Sequence, residues 1–292
     1  MDFGHITPQP DPCETLVESP LLPHPDAATN YTDDTSALTS LLEVARILDD
    51  VPSGLVDKQS DLALVMDTIV DSPDSPPSLF IDLEGTNLSR HGSISILQLH
   101  VTTQNKTYLI DVETLQKQAF ETCGSKGQSL KAILESETIL KVFYDVRNDS
   151  DALYSHYKIN LAGVEDIQLM ELATRNYSRK YVKGLAKCVE VDLPLTIAER
   201  KVWKDAKEQG LGLFAPERGG SYEVFRMRPL PQAIVQYCIQ DVQFLPKLWY
   251  LYHSKLTKSW TTRVEKATRE RISQSQSEHY IGQGRQKALG PW

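Results

Sequence analysis

The period of hydrophobic and polar positions changes along the chain, and the change marks its organisation. Apolar residues recur at helical spacing in Leu38–Leu48 (LTSLLEVARIL) and again in 60–70, which predicts two helices. The proline-rich segment SPDSPP (72–77) then breaks the pattern. From Leu79 onward short strands take over. The runs SLFIDLEG (78–85), SISILQLHV (93–101) and TYLID (107–111), the last two separated by the turn-like TTQNK, predict an antiparallel three-strand meander. A helical segment at 129–135, a strand at 139–144, a helix at 149–157 and a short strand at 164–167 follow, and helices dominate from there to about residue 258. One of these, Lys183–Val189, reads as a packing helix. Strands in a meander and then alternating with helices predict an α/β domain, a mixed sheet with helices packed on it.

The two ends read differently. Residues 1–35 are rich in Pro, Asp, Ser and Thr and form an acidic leader expected to be disordered, with a helical extension over 36–54. Residues 257–292 read as a basic tail: from His253 to Trp292 there are eight bases against three acids and no apolar periodicity beyond the first turns. The expectation there is a solvated segment with some capacity to hold a polyanion. Residues 55–256 are left as the functional body.

Charge changes the picture once it is mapped. The net charge of −8 would argue against a nucleic-acid partner if it were spread evenly. Residues 1–80 carry 15 acids and two bases, a net of −13, so the rest of the chain stands at +5. No apolar run approaches membrane-spanning length, and the N-terminal residues lack a basic and apolar leader, so an intracellular protein, cytoplasmic or nuclear, is expected. Cys13, Cys123, Cys188 and Cys238 are widely separated and read as free thiols of a reducing compartment.

Three stretches carry candidate chemistry. Asp82 and Glu84 are two apart on a predicted strand and project to one face, while Phe80, Ile81 and Leu83 anchor that strand in a core. Paired acids repel and are desolvated, and a divalent cation is the usual counter-charge; a lone D-x-E, however, is more often an edge strand whose acids face water. In Lys141–Tyr157, Asp149 lies one turn before Leu153 and shares its inward face. Asp151 is rotated about 200° away and is expected to meet solvent, and Asp145 at the strand end is the alternative. The third stretch is Gln232–Trp249, where Tyr237 and Asp241 stand four apart on one helix face beside Ile234, Phe244 and Leu245. Taken singly, Asp149 could serve only the helix dipole, and the Tyr237–Asp241 pair could be a core hydrogen bond.

Taken together, IDLEG (81–85), RNDSDAL (147–153) and YCIQD (237–241) resemble, in order and spacing, the three motifs of the DEDD superfamily of 3′-to-5′ exonucleases, in the tyrosine variant typical of RNase D-like enzymes. The resemblance covers roughly residues 55–256. It is nearest to the eukaryotic exonuclease-domain proteins related to Egalitarian, helped by FAPERGGSYEVF (214–225). It implies a ribonuclease H-like mixed sheet with helices on both faces. It further implies that Asp82, Glu84, Asp149 and Asp241 bind two divalent metal ions, Mg²⁺ or Mn²⁺, and that Tyr237 orients the attacking water. The reaction implied is hydrolysis of single-stranded or fraying RNA or DNA from the 3′ end, releasing nucleoside 5′-monophosphates. The implied ligand set contains no histidine or thiolate, which disfavours zinc. Gly85, where RNase D proper tends to have a bulkier residue, sets this chain apart within the class.

Substrate contacts are sought just before the third motif, where Arg218, Arg226 and Arg228 could reach phosphates or could form a solvated basic loop. Arg90 and His91, in the turn after the first motif, could likewise contact substrate or serve only the surface, and Asp166 reads as a helix cap rather than a fifth ligand. A second reading, a catalytically silent nucleic-acid-binding or adaptor module on the same fold, would be marked by a lost acid, and none is missing.

Overall fold

Strand β2 (Leu79–Glu84) lies inside a six-stranded sheet of order β1-β4-β3-β2-β5-β6, whose other members are β1 (Leu55–Val56), β3 (Ile96–Val101), β4 (Lys106–Asp111), β5 (Lys141–Phe143) and β6 (Val164–Asp166). The structure is a computed structural model and describes residues 54–69 and 76–292. The expected leader and the Leu38–Leu48 helix lie outside the described residues. β2, β3 and β4 form the antiparallel meander, with Asp82 opposite Gln98 and Leu99 opposite Tyr108. β5 and β6 add in parallel on one side and β1 pairs in parallel with β4 on the other, so the sheet is mixed as expected.

Strand parity sorts the side chains. Ile81, Leu83, Leu97, Leu99 and Ile110 pack with helices α1 (Gln59–Ile69), α4 (Leu130–Glu135) and α5 (Arg147–Tyr157) into one core. Two short helices, α2 (Val112–Leu115) and α3 (Gln118–Glu121), line the same side. The opposite parity holds Phe80, Asp82 and Glu84. There Ile96 and Leu109 pack against α9 (Gln232–Gln243) through Ile234, Cys238 and Ile239. Helices α6 (Ile167–Thr174), α7 (Leu185–Asp192), α8 (Ile197–Phe214) and α10 (Leu245–His253) complete that layer, with Phe80 and Val142 in their cluster. Each such aliphatic or aromatic side chain contributes about 1.5–3 kcal/mol on burial. Two acids therefore sit on a strand whose neighbours bind it firmly.

The C-terminal region corrects the expectation of a solvated tail. Lys258–Ser275 is a helix, α11, capped by the Thr257 hydroxyl, which accepts from the Trp260 N–H. It buries Val264, Ala267, Thr268, Arg271, Ile272 and Ser275, a stripe at helical spacing in which half the members are polar. Arg271 donates to Asp166 at 2.7 Å and to Gln168 at 2.9 Å, so its charge is buried but paired. An apolar periodicity search misses such a stripe because its partners are polar too. Among the described residues no helix is long and apolar enough to cross a membrane.

Candidate active site

Three elements bring the candidate residues together. β2 presents Asp82 and Glu84 from its rim end, where both remain half-buried, and α9 lays its Tyr237–Asp241 face over them. Carboxylate oxygens of Asp82, Glu84 and Asp241 all lie within 4.8 Å of one another. Asp149, in the first turn of α5, is buried and close enough to Asp82 and Glu84 for their charges to act on each other.

The electrostatics follow from that crowding. Burial, and then the Asp241 charge, push the Asp82 carboxyl up to about 8. Glu84 is raised well above the carboxylate range by burial and by Asp82, and Asp149 by burial and by Asp82 as well. Burial also raises Asp241, although Lys207 beside it opposes the shift. Burial and the same acids hold the Tyr237 phenol well above its usual range, so at neutral pH its hydroxyl keeps its proton. No hydrogen bond of good geometry reaches the buried Asp241 Oδ2, although the Tyr237 hydroxyl lies close enough to this carboxyl to favour its ionised form. A cluster of hard oxygen donors with an under-bonded oxygen suits a divalent cation, which would let all the carboxylates ionise.

Lys207 is the residue that sequence reasoning missed. It projects from α8, contacts Asp241 Oδ1 through its ammonium, and lies 3.9 Å from the centroid of the Tyr237 ring. The available signal was a lysine in the buried stripe Trp203, Lys207, Gly210 and Phe214 of that helix. Gly210 makes the approach possible, because a Cβ there would stand 2.5 Å from Tyr237 Cδ2.

Other expectations sort cleanly. Asp145 is gripped by Arg147 at 2.5 and 2.7 Å, whereas Asp149 lies near enough for its charge to act on Glu84 but is not among the three carboxylates that come within 4.8 Å of one another. Asp151 does point away from Asp149, but it is buried against Arg90 and not solvated, and Arg90 is correspondingly not a surface residue. Asp166 caps α6 by accepting from the Gln168 N–H, and it also accepts from the Asp145 N–H. Gly85 is explained locally: a Cβ would lie 2.0 Å from the Ser93 carbonyl oxygen, where the chain folds back. Arg228 is no free phosphate ligand. Its five donors are engaged by both Asp111 oxygens and the carbonyls of Phe225, Met227 and Ser95. Arg226 pairs with Glu113 at 3.1 Å while half-exposed, and Arg218 pairs with Glu208 at the surface.

The sheet order and the acid cluster are those expected of a DEDD exonuclease superfamily member, and the comparison with known families bears that out. The chain belongs to the 3′-5′ exonuclease domain family, whose sequence profile matches residues 56–258. It is similar to the piRNA biogenesis protein EXD1 of Bombyx mori, 28% identical over 124 residues that make up 41% of this chain and 37% of that protein. The EXD1 of Danio rerio is 26% identical over 179 residues, 60% of this chain and 44% of the relative. The matched part thus spans less than half of each curated relative. In fold it resembles Trypanosoma brucei RNase D solved in complex with RNA U12, with a TM-score of 0.63 at 20% identity over 84% of this chain and 77% of that one.

Proposed function

We propose that this protein is a metal-dependent 3′-to-5′ exonuclease of the tyrosine subtype that shortens single-stranded or fraying RNA from its 3′ end and releases nucleoside 5′-monophosphates. The observation that carries the reading is the approach of Asp82, Glu84 and Asp241 to within 4.8 Å, with one Asp241 oxygen left without a hydrogen bond of good geometry. Asp82, Glu84, Asp241 and, from the neighbouring helix, Asp149 are the residues that would hold two divalent ions. The chemistry two such ions would supply there is a lowered pKa for bound water and stabilisation of the charge that develops during phosphodiester hydrolysis. The Tyr237 hydroxyl, kept protonated by its surroundings, is suited to orient the water rather than to deprotonate it. RNA is preferred over DNA in this reading because the T. brucei RNase D is solved with RNA and the EXD1 relatives are piRNA biogenesis proteins.

Lys207, standing on Asp241, favours a second reading, since an ammonium that replaced the metal would leave a silent nucleic-acid-binding module. One experiment separates them. 5′-labelled RNA and DNA strands are incubated with Mg²⁺, Mn²⁺ or EDTA, using wild type and Asp82→Ala. The expected result is a ladder shortening from the 3′ end of RNA that vanishes with EDTA and in the variant. Cleavage without metal or full activity of Asp82→Ala refutes the mechanism, and strand binding without shortening establishes the silent module.

A further inference from the structure

The acid cluster already holds one cation of its own. Lys207 is only 9% exposed, its ammonium rests on Asp241 Oδ1 and over the Tyr237 ring, and its charge opposes the upward shifts of Asp82 and Glu84. Asp241 is therefore shared: one oxygen is taken by the lysine, and the other receives no hydrogen bond of good geometry. A lysine ammonium is a compact charge on a flexible four-carbon stem, so it can change partners without any movement of α8.

Charge balance indicates what the second partner would be. The carboxylates of Asp82, Glu84, Asp149 and Asp241 carry four negative charges when ionised, which two divalent ions cancel. Lys207 then adds a positive charge beside Asp241, on the side of the cluster away from Lys287, Asp145 and Asp166, whose charges act on Asp149. A phosphodiester group carries one negative charge. We propose that Lys207 is an exchangeable internal cation: it holds Asp241 while divalent ions are absent, yields that carboxylate to them, and then binds the phosphodiester at the 3′ end of the substrate. This assignment rests on the exonuclease reading above.

The two roles shift binding in opposite directions when the ammonium is removed, which a merely structural lysine would not do. Lys207→Met keeps the length of the stem. Mg²⁺ binding is followed by calorimetry. Binding of an RNA strand with phosphorothioate 3′-terminal linkages is followed by fluorescence anisotropy, with each protein saturated in Ca²⁺. Losing a charge-assisted contact in each state predicts Mg²⁺ binding about tenfold tighter and strand binding about tenfold weaker in the variant. If the variant is marginal without metal, its melting midpoint must rise more with Mg²⁺ than that of wild type. Absence of either shift overturns the proposal. A wild-type protein that binds no divalent ion refutes the exonuclease reading itself, whereas equal Mg²⁺ binding by the two proteins refutes only the role of Lys207.

Discussion

Arg90 clasps Asp151 twice, through its backbone N–H at 2.9 Å and its side-chain Nε at 2.7 Å. The pair ties the turn that follows β2 to α5, so the segments bearing Asp82 and Asp149 are joined at a point away from the acid cluster. Arg90 also donates to the carbonyls of Ser275 and Ser277, each at 2.8 Å, which brings the end of α11 into the same joint.

Removal of this clasp has a definite cost. Asp151 is 1% exposed, so Arg90→Ala removes the guanidinium and leaves a buried carboxylate held only by the backbone N–H of residue 90, and stability should fall by about 3 kcal/mol. Turnover per folded molecule should stay close to wild type, because neither residue joins the cluster. Denaturant unfolding together with activity at matched folded concentration checks both halves.

Helix α11 should be part of the folding unit. A protein ending at residue 257 exposes the surface beneath Val264 and Ile272 and deprives Asp166 of Arg271. It is expected to lose cooperative thermal unfolding. Arg271→Ala in the full chain should be milder, at about 3 kcal/mol. A sharp melt of the truncated protein near the wild-type midpoint would show that the helix is dispensable.

Tyr237 can be displaced or disarmed. Tyr237→Phe keeps the ring and removes the hydroxyl, and a fall in kcat of about 10²-fold with Mg²⁺ binding unchanged is expected. Gly210→Ala acts through space, since the new Cβ would meet the ring at 2.5 Å and force it aside. A loss of kcat in Gly210→Ala comparable to that of Tyr237→Phe, read by the same strand-shortening assay, supports the ring's position as the critical variable.

The acid cluster predicts a pH dependence of stability whose sign is fixed. Asp82 moves from its ordinary 3.8 to about 8 because of burial and Asp241, so the folded state binds its proton more tightly than the unfolded chain does. Its stabilising contribution is complete below 3.8 and is lost as pH rises through about 8. The metal-free protein should melt at progressively lower temperature across that window, and Mg²⁺ should restore more at its upper end. Asp82→Asn should flatten the slope in calorimetric scans.

The sequence by itself determined the meander, the alternation that puts Asp82 and Glu84 on one face, and the helical spacing that puts Tyr237 beside Asp241. These are local matters, fixed by backbone period within a few residues. It also separated Asp149 from Asp151 correctly in angle. Only the tertiary structure decided what lay opposite each face: Arg90 and not water against Asp151, polar partners beneath the stripe of α11, Asp111 and not a phosphate on Arg228, and Lys207 on Asp241. In each case a charged side chain is buried by a partner far away in the chain. Hydropathy patterns read such a residue as exposed, because the contact that offsets its desolvation is created only when the helices and the sheet come together.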